Sequence, residues 1–261
     1  MLIQRIWIIS VLFAFIGLSG CTHSSQIEKS AEWDRISDGE YLVENCTWNV
    51  AAAHGSWKEI IFCDTMNGSR GWRWDFSKET DNPAAYVIKS YPEIIFGRKP
   101  YDGYESTSPR LPIALRNAQF TIEYDYKVIR ANGIYNTTTD ITFTDSVTPH
   151  PENIRAKLMI WFDHLNMDFF QSKFRTQTVI GGRRHEVFID RNHTGPEGAW
   201  IFIALLPEKL PHKGKIDLTE YFNFCLSTGA LKPEWFVSSI EIGSEIASGK
   251  GEVQFKQFLV P

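Results

Sequence analysis

Lys157-Leu158-Met159-Ile160-Trp161-Phe162-Asp163 alternates with a period of two, the side-chain repeat of a β-strand. One face collects Leu158, Ile160 and Phe162 and reads as core. The other collects Lys157, Met159, Trp161 and Asp163, an ammonium, a thioether, an indole and a carboxylate. That set is odd for open solvent and suits a groove holding an amphiphilic polymer. Near the C-terminus Glu241, Gly243 and Glu245 share a face opposite Ile240, Ile242 and Ile246 in the same way. Charged alternation by itself equally suits a solvated sheet face, so these two segments fix strand character first.

Working outward, short β-type runs recur along the chain. They are Tyr41 to Asn45, Ile60 to Cys63, Trp72 to Trp74, Tyr86 to Ile88, Phe120 to Tyr124 and Asp140 to Phe143. His185 to Ile189, Trp200 to Leu205, Phe236 to Ile242 and Val253 to Val260 continue the series. Gly and Pro punctuate them, with Gly181-Gly182 and Gly195-Pro196 as examples. Many short strands at regular spacing predict an all-β sandwich or jelly roll of two antiparallel sheets and exclude βαβ units. One helix is expected. Asp217 caps it with Glu220 as reciprocal partner, Leu218, Tyr221, Phe222 and Cys225 share its apolar face, and Gly229 closes it. Its expected place is against the outer sheet, in a structural role.

The N-terminus is a different kind of sequence. Arg5, an apolar run from Ile6 to Phe15 and then Leu18-Ser19-Gly20-Cys21 form a secretory signal over residues 1–20. Leu-Ser-Gly-Cys resembles a bacterial lipobox, which makes Cys21 a lipidated N-terminus and the membrane a partner through that anchor. The polar stretch after it reads as a tether over 21–35, and the single domain then runs over 36–261. A cell-envelope location follows, at the outer membrane if the source is Gram-negative. With 27 Lys+Arg against 31 Asp+Glu, a net charge of -4 and no basic block, nucleic acid is not an expected partner. Aromatic residues make up 14% of the chain, with nine Trp, which makes the positions of those rings the question.

Cys46 and Cys63 lie on consecutive predicted strands of an exported protein and read as a hairpin-spanning disulfide, with two free buried thiols as the alternative. Cys225 reads as core. No metal-ligand spacing is present, so neither a metal nor a cofactor is expected.

The order of motifs resembles glycoside hydrolase family 12, the endo-β-1,4-glucanases and xyloglucanases. Tyr41-Leu42-Val43-Glu44-Asn45-Cys46-Thr47-Trp48 is similar to that family's Asn-Asn-x-Trp strand. Trp72-Arg73-Trp74 and Val87-Ile88-Lys89-Ser90-Tyr91-Pro92 resemble its next two segments. Thr139-Asp140-Ile141 resembles its Tyr-Asp strand, Leu158-Met159-Ile160-Trp161 its most recognisable string, and Gly243-Ser244-Glu245 its Gly-Thr-Glu turn. The resemblance runs from about Tyr41 to the C-terminus. It implies a concanavalin-like jelly roll and a β-glucan or related polysaccharide as partner.

It also implies roles. Glu245 takes the position of the acid/base, Asp140 that of the residue that hydrogen-bonds the nucleophile, and Trp48 and Trp161 stack on glucan. Asn45, Met159 and Trp74 belong to the same implied substrate-binding set. The nucleophile position is Lys157. A retaining site needs two carboxyl groups about 5–5.5 Å apart, one able to form a glycosyl ester, and an ammonium has no lone pair to attack with. Beside Glu245 it would favour the ionised carboxylate, and beside Asp140 it would form an ion pair. Glu152 has the wrong parity to substitute, Asp163 lies roughly 20 Å along the strand at ~3.3 Å per residue, and Glu123 or Asp125 would have to reach in from another strand. The sequence supports a β-1,4-glucan-directed lipoprotein in which ordinary retaining hydrolysis is lost. The alternatives are an altered enzyme, an inverting reaction through Glu245 or Asp140, a purely polysaccharide-binding protein, or a structural envelope protein.

Overall fold

The computed structural model describes residues 26–79, 85–168, 175–195 and 198–261. The expected signal segment and Cys21 lie outside the described residues. β1 (Gln26–Lys29), β2 (Arg35–Asp38), β3 (Tyr41–Glu44), β4 (Lys58–Asp64) and β5 (Ser69–Phe76) come first. β6 (Glu93–Gly97), β7 (Ile113–Ala114), β8 (Thr121–Ile129), β9 (Ile134–Thr144) and β10 (Ile154–Leu165) follow. Next are β11 (Thr176–Ile180), β12 (Arg183–Gly195), β13 (Gly198–Pro207) and β14 (Lys213–Asp217), then helix α1 (Leu218–Ser227). β15 (Phe236–Gly243) and β16 (Ile246–Leu259) end the chain's regular structure.

The strands form a jelly-roll sandwich. The smaller sheet has the order β1-β4-β5-β16-β8-β14 and the larger the order β2-β3-β6-β15-β9-β10-β13-β12-β11. β16 joins them. Its first residues pair with β9, and from Gly249 it runs in the smaller sheet between β5 and β8. Every neighbouring pair along these orders is antiparallel except β10 and β13, which run parallel. That exception follows from the β11–β12 hairpin, which carries the chain away from β10 and back before β13 adds beside it.

Between the sheets lies one large aromatic and aliphatic core. Phe76, Phe96, Phe143, Phe222, Phe255 and Phe258 are fully buried there with Trp72 and Tyr126. Period-two alternation sends Leu158, Ile160 and Phe162 of β10, and Ile240 and Ile242 of β15, into this core.

Three expectations change. Gln26–Lys29, read as part of a tether over 21–35, pairs antiparallel with β4 as an edge strand. Polar composition concealed it, since an edge strand with both faces exposed needs no apolar alternation. The Tyr86 to Ile88 run is irregular, held beside the sheet by an isolated bridge from Ser90 to Ile246. Cys46 and Cys63 are free buried thiols with no disulfide between them. The Cys46 sulfur lies within 4.8 Å of carboxylate oxygens of Glu44 and Glu93 on the larger sheet, whereas Cys63 belongs to the core. Helix α1 lays its apolar face, Leu218, Tyr221, Phe222 and Cys225, against the core side of the larger sheet and leaves Glu220, Asn223 and Ser227 exposed. Phe222 meets Phe143 edge-on at 5.6 Å, and the Tyr221 hydroxyl lies 3.0 Å from His185 Nε2. Asp217 caps the helix as expected, but through the Thr219 N–H at 2.9 Å.

Candidate active site

The same alternation that fills the core sets out rows on the opposite, outer face of the larger sheet. Across β6, β15, β9, β10, β13 and β12 one row reads Ile95, Glu241, Asp140, Met159, Ala204, Phe188. The row on one side reads Glu93, Gly243, Thr138 and Trp161 over β6, β15, β9 and β10. On the other side Ser239, Thr142, Lys157 and Phe202 line up over β15, β9, β10 and β13. Glu241, Asp140 and Lys157, distant in sequence, are thereby brought together.

Glu245 stands in the two-residue link between β15 and β16. Gly243 makes the link compact, since a Cβ there would meet the Tyr91 ring at 2.6 Å. Tyr91 donates its hydroxyl to the Thr138 carbonyl, and Ser244 N–H donates to the Pro92 carbonyl. Asn136 of β9 then clasps Glu245 twice: its Oδ1 accepts the Glu245 N–H at 3.0 Å, and its Nδ2 donates to the Glu245 carboxylate at 2.5 Å. Burial lifts the Glu245 carboxyl to about 7 against the pull of the Asn136 hydrogen bond, and the Asp140 charge adds to the lift. Glu245 therefore holds its proton up to about neutrality, the state a general acid needs. The neighbouring charge acting on it is Asp140's, so the expected depression by Lys157 is absent.

Asp140 is lifted to about 6, by burial first, with Glu241 adding and Lys157 opposing. The expected ion pair with Lys157 does not form. Lys157 Nζ instead donates to the Tyr101 hydroxyl at 3.2 Å and lies 5.1 Å from the Trp200 ring and 5.8 Å from the Tyr101 ring. Burial opposes the charged amine, but Tyr101, Asp140 and Glu241 together outweigh it and hold Lys157 above its ordinary value. The Asp140 Oδ1 atom is buried without a hydrogen-bond partner among the described residues.

Beyond Glu241 the outer face becomes a lattice of buried charge. Lys99 Nζ bridges Glu93 at 2.6 Å and Glu44 at 3.4 Å. Glu44 also accepts from Arg35 Nε and the Tyr104 hydroxyl, each at 2.6 Å, while Arg35 lies 3.9 Å over the Tyr104 ring. Ser239 Oγ donates to Glu241 at 2.5 Å. Glu44, Cys46 and Glu93 bring three cation-ligating atoms within 4.8 Å of one another, a grouping that linear spacing did not reveal because β3 and β6 meet only in the sheet. The Lys99 ammonium already supplies positive charge there.

The remaining sequence candidates scatter. Trp48 is exposed, at 54%. Met159 and Trp161 share the outer face with Ile134, Ile154, Met167, Trp200 and Phe202, yet Trp161 is only 2% exposed. Asn45 is buried and donates its amide to the Ala31 carbonyl, a structural tie. Trp74 is a core residue packed on Tyr135 at 5.3 Å, because the parity of β5 turns it inward. Glu123 and Asp125 sit on β8 in the smaller sheet and pair with Lys215 and Lys213. Asp163 lies 3.6 Å from His212, beside a hollow of ≈540 Å³ that also touches Trp161 but none of Glu245, Asp140 and Lys157. Tyr101 and Asn136 were missed, and Glu241 was read only as sharing a face with Glu245. Asn136 and Glu241 carry a legible signal, since each shares strand parity with a chosen residue, but Tyr101 comes from a loop without periodicity.

No protein-family profile matches the chain. Endoglucanase S of Pectobacterium parmentieri is 25% identical over 258 residues, spanning 96% of this chain and 91% of its own. A family 12 xyloglucanase from Bacillus licheniformis superposes with a TM-score of 0.79 at 22% identity, over 90% of this chain and 99% of that one. A metagenome-derived family 12 endoglucanase gives 0.69 at 18% identity over 90% and 98%. Strand order, the sandwich core and these superpositions agree, and the chain has the fold of the family 12 glycoside hydrolases.

Proposed function

We propose that the outer face of the larger sheet takes up a β-1,4-linked glucan or xyloglucan chain, and that the protein presents this groove at a bacterial cell envelope, anchored through Cys21. The reading draws its substrate class from the glucanase and xyloglucanase relatives and its form from a sheet face that joins aromatic rings to partner-short polar groups. Ordinary retaining hydrolysis is absent from it. The carrying observation is Lys157: a charged amine, turned toward Tyr101 and Trp200, stands where the resemblance requires a nucleophilic carboxylate.

The test is titration of the purified protein with cellohexaose and with xyloglucan oligosaccharides, followed by Trp fluorescence and calorimetry. Saturable binding of at least one is expected, and binding of neither would sink the reading in favour of a structural envelope protein. Lys157→Glu is the complementary test. It is expected to create hydrolysis in which the product keeps the substrate's β configuration, because it restores a carboxylate two positions along the outer face from Met159. No gain would mean that the groove has diverged by more than one residue.

A further inference from the structure

We infer that the hollow beside Asp163 is a second carbohydrate site on the outer face, holding a neutral pyranose unit away from Glu245, Asp140 and Lys157. The inference goes beyond the glucan-binding reading above and stands or falls apart from it.

Strand register builds the hollow. Phe188 and Ala204 stand on the outer face, and two residues along each strand period two places Glu186 and Leu206 there as well. Glu186 pairs with Leu206 on one side and with Gln177 of β11 on the other. In the next row the Glu208 N–H donates to the Arg184 carbonyl at 2.9 Å and fixes those two residues side by side. β10 supplies the opposite wall. Past Trp161 its pairing with β9 slips by one residue, from Trp161 opposite Thr138 to Asp163 opposite Thr137. A bulge of this kind re-aims side chains, and Asp163 and His164 both line the hollow. His212, from the loop before β14, joins them, its ring 4.8 Å from Tyr126 and its Nε2 3.6 Å from Asp163.

Shape and chemistry then select the ligand. The volume of ≈540 Å³ lies within the ~300–1,000 Å³ of small-molecule sites. Leu206, Pro207 and Leu210 contribute apolar surface. Planar polar groups share the lining: the Gln177 amide, the Arg184 guanidinium, the Asp163 and Glu208 carboxylates, and the imidazoles of His164 and His212. Gln177, Arg184 and Glu208 are exposed, so a ligand reaches them without breaking into the core. Charge is balanced. Asp163, Glu186 and Glu208 stand against Arg184 and Lys209, and Arg175 matches Glu186 at 2.9 Å. An ion of either sign gains no net pull from such a set. A pyranose uses all of it, since its C–H face packs on aliphatic carbon while its hydroxyls donate to carboxylates and accept from amide and guanidinium N–H. The groove residues nearby differ in kind. Met159 and Trp161 are 5% and 2% exposed and packed on one another's neighbours, whereas the hollow is open space on the same face.

The test is NMR of the histidine side chains of the purified protein, titrated with cellotetraose and, separately, with sodium sulfate. The His164 and His212 ring signals, assigned by His164→Gln and His212→Gln, are expected to shift saturably with millimolar cellotetraose and to ignore sulfate. Gln177→Ala combined with Arg184→Ala removes two exposed side chains, so the urea midpoint should hold while the affinity read at His164 falls about tenfold. Trp48→Ala, a change in the groove margin, should leave that affinity within about twofold, as for independent sites. Histidine signals that do not move with cellotetraose, or that move equally with sulfate, would overturn the inference. Loss of the His164 response in Trp48→Ala would overturn it too, by making hollow and groove one continuous site. A histidine response without any Trp fluorescence change in the groove would uphold this site and remove the groove reading, and the reverse result would do the opposite.

Discussion

The larger sheet carries two unlike surfaces on one outer face. Over β3, β6 and β15 the face is ionic and closed: Glu44 and Glu93 have no exposed surface, and Glu241 has 3%. Over β10, β13 and β12 it is aromatic, with Met159, Trp161, Trp200 and Phe202 packed together. In the ionic half Lys99 bridges two carboxylates and Arg35 and Tyr104 complete Glu44, while the second Glu93 oxygen is buried without a hydrogen-bond partner among the described residues. At the boundary, Asp140 and Lys157 have fewer partners than their chemistry allows. Buried charges that find partners are architecture, and those left short at the edge of an aromatic surface are where a ligand's hydroxyl groups or a water would be recognised.

Breaking the ionic half tests that contrast most severely. Lys99→Met removes the cation that bridges Glu44 and Glu93; Glu44 keeps Arg35, but Glu93 is left without a cationic partner. Removing one partner of a buried pair costs roughly 3–5 kcal/mol, so the urea midpoint at pH 7 should fall by the equivalent amount. A loss below about 1 kcal/mol would show that water already reaches the lattice, and the contrast between a closed ionic half and an open boundary would collapse.

A control for the partnered lattice lies elsewhere in the molecule. Glu59 of β4 has no exposed surface and only one bond, from Ser90 Oγ at 2.6 Å to one oxygen, while its other oxygen has no partner among the described residues. Burial lifts it to about 8 against the Ser90 bond. The folded state thus holds this proton more tightly than the unfolded chain. The resulting stability is full below about pH 4.5 and is lost as pH rises toward 8. Glu59→Gln should remove that dependence, flattening the fall in unfolding free energy between pH 5 and pH 8 by about 3 kcal/mol. Chemical denaturation across that range measures it. An unchanged slope would mean that a lone buried carboxyl is tolerated here as well as a bridged one, and the partner argument would lose its force.

How much of this was legible in sequence depends on the kind of contact. Strands with one core face announced themselves, and Leu158-Met159-Ile160-Trp161 placed both the core and the outer face correctly. β1 was invisible because both its faces are exposed. Trp74 was misassigned because a motif gave it a role that strand parity, read alone, would have refused. Glu245, Asp140 and Lys157 were named from motifs, but their grouping depends on registers between β9, β10 and β15 that no local pattern encodes. Lys99 and Tyr101 come from loop sequence, and only the folded sheet shows what they touch.

The smallest expected effect probes the aromatic half at its margin. Trp48 follows Glu44 and Cys46 at even spacing beyond β3, and its indole is 54% exposed, whereas Trp161 is at 2%. An exposed indole adds little to folding, so Trp48→Ala should move unfolding free energy by no more than about 0.5 kcal/mol. If Trp48 stacks on a glucan at the rim, the same change should weaken cellohexaose binding about tenfold, near 1.4 kcal/mol. Trp161→Ala should show the opposite division, because that ring is already buried against its neighbours: a large loss of stability, of the order of 3–5 kcal/mol, and a binding change that follows from unfolding. Fluorescence titration and urea unfolding of both variants give the two ratios. Equal ratios would mean that the rim and the buried shelf act as one surface, and the division between architecture and recognition would have to be drawn at β9 alone.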